Sequence, residues 1–182
     1  MILVVDMNRK KDSLGYYEFV LPILTIIKQF DKWSVEHYKD VTHDDLNRSD
    51  LVILSGTPLK DTATLTEPEK FQWLKETQKP ILGICAGMET IGVVYGMRLR
   101  PCTEIGMTSV DTVKDDRLMR GALKAYSLHS YCVEPSEEFE VLARSQECIQ
   151  VIKHKTKMTY GVLFHPEVRN PEVIERFVHL KA

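Results

Sequence analysis

The sequence predicts an α/β protein of three layers, with a mainly parallel central sheet and antiparallel additions from its C-terminal half. Three observations carry this. Through the first half, short apolar runs of strand length alternate with helical stripes, the pattern of a parallel sheet covered on both faces. The second half holds five short strand-like runs with little helix between them. At the centre, the apolar run Ile81 to Ile84 stops at a cysteine framed by glycines, Gly83-Ile84-Cys85-Ala86-Gly87, and the amphipathic stretch Met88 to Tyr95 follows at once. That reads as a buried strand, a tight turn and a helix ended by Gly96.

The elements follow in order. Ile2 to Asp6 is a continuous apolar run, hence a buried first strand. Asn8 to Gly15 is polar and turn-rich. Tyr16 to Phe30 carries a helical stripe at Val20, Ile23, Leu24, Ile27 and Phe30, and Pro22 should start its regular part or kink it. Trp33 to Tyr38 is a second strand. Thr42 is placed to cap one helical turn through Leu46. Asp50 to Ser55 is a strand running into the loop Ser55-Gly56-Thr57-Pro58. Leu59 to Thr66 is a polar connection, and Glu67 to Gln78 a helix with Phe71 and Leu74 inward. After the central unit come strands at Thr108 to Val113, Ala125 to His129, Phe139 to Ala143, Ile149 to Lys153 and Tyr160 to Phe164. Pro171 to Leu180 closes the chain as a helix. No repeat, linker or low-complexity tract divides residues 1–182, so a single domain is expected.

At 182 residues and 43% hydrophobic, the chain is long enough for one well-buried core and short for two. A net charge of −2, with Lys and Arg scattered, offers no patch for nucleic acid. No apolar run approaches the roughly 20 residues that span a bilayer. Met1 to Asp6 lacks the basic start and cleavage site of a secretory signal. The four cysteines, Cys85, Cys102, Cys132 and Cys148, form no C-x-x-C pair. They are therefore expected to be reduced, in a cytoplasmic protein, with no metal site and no cofactor.

Gly-x-Cys-x-Gly is the thiol form of a nucleophile elbow. It puts Cys85 at the end of a strand and the start of a helix, where the partial positive charge lowers a thiol pKa. Taken alone, the same pattern also fits a buried structural cysteine. A nucleophile needs a base, and Tyr160-Gly161-Val162-Leu163-Phe164-His165-Pro166-Glu167 supplies one at another strand end, with Glu167 two residues on to orient the imidazole. The N–H of Ala86 and the Gly56-Thr57-Pro58 loop are the candidate oxyanion donors. His129, in Leu128-His129-Ser130-Tyr131, is a second possible base, but no carboxylate follows it closely, so a structural or substrate-contacting role fits it better.

Through these motifs the chain resembles the class I (triad) glutamine amidotransferases along nearly its whole length. The resemblance includes Leu54-Ser55-Gly56-Thr57-Pro58 and Glu104-Ile105-Gly106. Phe139 to Glu167 is most similar to the glutaminase subunit of archaeal-type GMP synthetase. Leu128-His129-Ser130-Tyr131 is similar to the amidotransferase subunits of histidine and anthranilate biosynthesis. The resemblance implies a flavodoxin-like fold and hydrolysis of the glutamine side-chain amide. In it Cys85 forms a glutamyl thioester, His165 moves the proton and Glu167 holds His165. Gly56, Thr57, Ala86, Glu89, His129, Ser130 and Tyr131 surround the substrate, and the ammonia passes to a separate synthase. A partner-independent hydrolase of a γ-glutamyl or other amide, and a non-catalytic binding homologue, are the competing readings. Two positions depart from the family. Thr57 stands where it usually has glycine, and Glu89, one helical turn beyond Cys85, where it usually has glutamine. An ionised Glu89 in the pocket would only accept hydrogen bonds and would oppose a thiolate at Cys85. On the helix surface it would do neither.

Overall fold

The first strand, β1 (Ile2–Asp6), is buried along its whole length. Ile2 and Val4 join one apolar cluster and Leu3 and Val5 another, as the two-residue period of a strand demands when both faces are covered. The structure, a computed structural model, describes residues 1–181. Ala182, the end of the expected domain, and the side chain of Lys181 lie outside the described residues.

The other strands are β2 (Trp33–His37), β3 (Leu51–Leu54), β4 (Ile81–Ile84), β5 (Arg98–Thr112), β6 (Leu123–Glu134), β7 (Phe139–Arg144), β8 (Ile149–His154) and β9 (Thr159–Val162). They form one curled sheet in the order β2-β1-β3-β4-β9-β8-β7-β5-β6. The helices are α1 (Leu21–Ile27), α2 (His43–Arg48), α3 (Ala63–Thr66), α4 (Trp73–Glu76), α5 (Ala86–Val94), α6 (Pro166–Arg169) and α7 (Pro171–Val178). Residues of α1 and α7 fill one cluster. Residues of α2, α4 and α5 fill the other. The three layers are therefore as expected.

A mainly parallel sheet is not. The junctions from β2 to β9 are parallel. The remaining four are antiparallel and include the longest, β5 on β6. The sequence showed only the ends of that hairpin, because Arg98 to Ile105 alternates exposed and half-buried residues around Pro101 and never gathers an apolar run.

Local corrections have local causes. Pro22 lies in the first turn of α1, and a π-helical turn, Tyr16–Val20, precedes it. The expected helix from Glu67 breaks into a 3-10 turn, Pro68–Phe71, and the short α4, though Phe71 and Leu74 are buried. The expected polar connection holds α3. Thr42 caps α2 in a reciprocal box with Asp45. The central helix α5 is not amphipathic: eight of its nine residues are buried. It ends as expected, with Gly96 at φ +71, Gly96 N–H bonding Val93 and Met97 N–H bonding Gly92, a Schellman motif.

Candidate active site

The parallel strands deliver their carboxyl ends to one rim, where open α/β sheets place their sites. Cys85 follows β4 and His165 follows β9, and these strands are paired neighbours. The Cys85 N–H donates to Val162 O at 2.8 Å, which locks the two strand ends together. Cys85 has φ +49 and ψ −105. A side chain in that region carries roughly 1–3 kcal/mol of strain. The glycines around it allow the turn. A Cβ on Gly83 would lie 2.6 Å from the Gly87 carbonyl carbon, and one on Gly87 would lie 2.8 Å from Leu54 O. The strand and helix touch backbone to backbone there, and no side chain fits between them.

His165 is buried, and its Nδ1 lies 2.7 Å from Glu167 Oε1. Its Nε2 is buried with no hydrogen-bond partner. Its backbone N–H donates to Tyr126 O, and Cys85 Sγ donates to Leu128 O at 3.4 Å. Strand β6 therefore roofs the rim. Gly56 completes the ring's seat, since a Cβ there would lie 2.6 Å from His165 Cε1. Burial works against a charged imidazole, but Cys85 and Glu167 outweigh it and hold the His165 pKa well above the usual range. Burial pushes the Cys85 thiol up. His165 pulls it back, and the Glu89 and Glu167 carboxylates push it further up. The thiol of this closed site is thus harder to ionise than its helix N-terminus suggests.

A narrow cavity brings together Thr57, Cys85, Ala86, Glu89, His129, Ser130 and Tyr131. It leaves about 10 Å³ for the centre of a water molecule, room for about one water. Glu89 is buried in its wall rather than on the helix surface, and burial raises its pKa to about 7, with His165 opposing. Thr57 keeps a negative φ, so the backbone here does not need a glycine. Its hydroxyl donates to Asp61 O at 3.0 Å.

Two features lay beyond the sequence reading. His129 does have a carboxylate: Glu104, its cross-strand partner, sits 3.0 Å from Nε2, and burial lowers the His129 pKa while Glu104 opposes. Pro58, Leu59, Asp61 and Thr62 also line the cavity. Asp61 shapes their loop by accepting from the N–H groups of Arg9 and Ala63. The expectation of four reduced cysteines fails as well. Cys132 and Cys148 form a disulfide, leaving Cys85 and Cys102 free. Cys102, Cys132 and Cys148 cluster within 4.8 Å, as do Glu104, His129 and Cys148, although sequence spacing offered no such grouping.

Residues 24–179 match the model of the family described as glutamine amidotransferase class-I. The chain belongs to this family. Among relatives of this amidotransferase is a glutamine-hydrolyzing GMP synthase subunit from Sulfolobus acidocaldarius, 31% identical over 73% of this chain and 75% of its own. Another of that description, from Methanosarcina barkeri, is 38% identical over 68% and 67%. A Thermoplasma acidophilum structure ascribed to a GMP synthase subunit superposes with a TM-score of 0.83 at 18% identity, over 100% of this chain and 94% of that one. A Thermotoga maritima glutamine amidotransferase gives 0.68 at 20%, over 99% and 81%. The two structures bear on the amidotransferase fold alone. Among the described residues, no helix is long and apolar enough to cross a membrane.

Proposed function

We propose that this chain is the glutamine-hydrolysing subunit of a GMP synthase, passing ammonia to a separate synthase subunit. The observation that carries it is the buried His165–Glu167 pair at 2.7 Å, beside the strained Cys85 on the adjoining strand end. In the form of the site that holds one proton between Cys85 and His165, the unpartnered His165 Nε2 takes it from the thiol. The sulfur then attacks the amide carbon, and the N–H groups of Ala86 and Thr57 receive the oxyanion. As the C–N bond breaks, His165 returns the proton to the leaving ammonia. Water, deprotonated by His165, next cleaves the thioester to glutamate and restores the thiol. Glu167 keeps the ring oriented and its charged form favoured.

Glu89 fits this reading better than its charge suggests. With a pKa of about 7 it is near half-protonated at neutral pH, and a protonated carboxyl donates a hydrogen bond as an amide does. We further read residues 1–182 as a single domain, the five-stranded parallel half as flavodoxin-like, and the setting as cytoplasmic. The test is ammonia release from glutamine by the isolated chain, with and without a candidate synthase subunit. Slow release that rises about tenfold or more with the synthase is expected, as when binding completes a catalytic site. Full release by the chain alone, unchanged by any synthase, would instead mark a partner-independent hydrolase.

A further inference from the structure

Close to Glu104 and His129, three cysteines converge from three segments. Cys102 lies on β5, Cys132 on β6 and Cys148 just before β8, and their sulfurs lie within 4.8 Å of one another. Cys132 and Cys148 are joined, while Cys102 keeps its thiol beside them and is only partly buried. Arg100 supplies the third component of an exchange reaction. Its Nη2 lies 3.3 Å from Cys132 Sγ and donates to Glu147 O at 2.8 Å, while its Nε faces Glu134 at 3.6 Å. A guanidinium beside a sulfur stabilises that sulfur as a leaving thiolate.

We infer that Cys102, Cys132 and Cys148 are a thiol–disulfide exchange site whose state is transmitted to the glutamine pocket. The Cys102 thiol gives its proton to solvent and its sulfur attacks Cys148. The Cys102–Cys148 bond forms, the Cys132–Cys148 bond breaks, and Cys132 leaves as a thiolate held by Arg100. One disulfide replaces another, so no outside oxidant or reductant is consumed. The transmission to the pocket rests on the function proposed above.

The route is short. Pro101 pairs with Tyr131 and Glu104 with His129, so Cys102 and Thr103 together oppose the single residue Ser130. That is a β-bulge, a device that re-aims side chains, and Ser130, His129 and Tyr131 all line the cavity. The turn carrying Cys148 is tied to the same place. Ser145 Oγ and Gln150 Nε2 donate to Glu104 Oε2 at 3.2 and 2.7 Å, and Glu104 in turn holds His129. Moving the disulfide from β6 to the bulge of β5 changes which strand this turn pulls on.

Peptide mapping after alkylation of the full chain, purified without reductant, tests the site. Wild type should contain the Cys132–Cys148 cross-link and a minority of Cys102–Cys148. Arg100→Gln should shrink that minority, by up to about tenfold per pKa unit lost in the released thiol when the pH is high enough to ionise it. Cys102→Ser should hold only Cys132–Cys148, and Cys132→Ser only Cys102–Cys148, with several-fold different KM for glutamine. Four free thiols in untreated wild type, or an equivalent of zinc lost on alkylation, would overturn the exchange site. So would the absence of any Cys102–Cys148 peptide from wild type, a result that needs no variant to fold. Equal KM values would overturn the link to the pocket. No ammonia release from any form, with both cross-links present, supports the exchange site and fails the proposed function instead.

Discussion

Glu89 and Gly56 show how single residues tune this pocket. The Glu89 carboxyl is buried one turn beyond Cys85 and its pKa is raised to about 7. A carboxyl whose folded pKa lies above its unfolded one stabilises the fold below the unfolded pKa, and that stability is lost as pH rises through about 7. Glu89→Gln should therefore gain stability on the order of 3 kcal/mol at pH 8 and little near pH 5, read from urea melts at each pH. It should also raise kcat/KM for glutamine at pH 8 but not at pH 6. Equal kinetics at both would make the carboxylate a bystander. Gly56→Ala should fold yet lose about a hundredfold in turnover, because its Cβ displaces His165. Unchanged turnover would mean that the ring can shift harmlessly. The candidate triad of Cys85, His165 and Glu167 could be picked out in the sequence because their local patterns are those of a nucleophile, a base and its support, and the fold brings the three together. The partner of His129 was not: Glu104 is 25 residues away and becomes its neighbour only through the register of a hairpin.

Elements explain what patterns miss. The strand–turn–helix of β4 and α5 is legible from its glycines, but the helix reads as amphipathic because Glu89 and Thr90 are polar, and both are buried here with the rest. Gly83→Ala places a Cβ against the Gly87 backbone, which unlike a flexible side chain cannot swing away. A loss of about 1–3 kcal/mol is expected, seen as a lower Tm, together with a displaced Cys85. A Tm equal to wild type would show that strand and helix can separate without loss. The β5–β6 hairpin stays half hidden in sequence because half-exposed strands mix polar and apolar residues.

At the scale of the molecule, the parallel half brings the proposed reacting groups together and the antiparallel half covers them. Cys85 and His165 rise from β4 and β9, and β6 closes over both through Leu128 O and Tyr126 O. The cover leaves space for about one water, so glutamine needs an opened pocket. In the isolated chain iodoacetamide should therefore modify the partly buried Cys102 before the buried, proton-retaining Cys85. A synthase that opens the site should reverse this order, and an order unaffected by the synthase would argue against such opening. The central claim is that Cys85 is the nucleophile toward a glutamine amide. Its most direct test is acid quenching of the chain during turnover of glutamine, followed by mass mapping of the trapped adduct. A glutamyl thioester on Cys85, absent from Cys85→Ala, is the predicted result; an adduct on another residue, or wild-type ammonia release by Cys85→Ala, would contradict it.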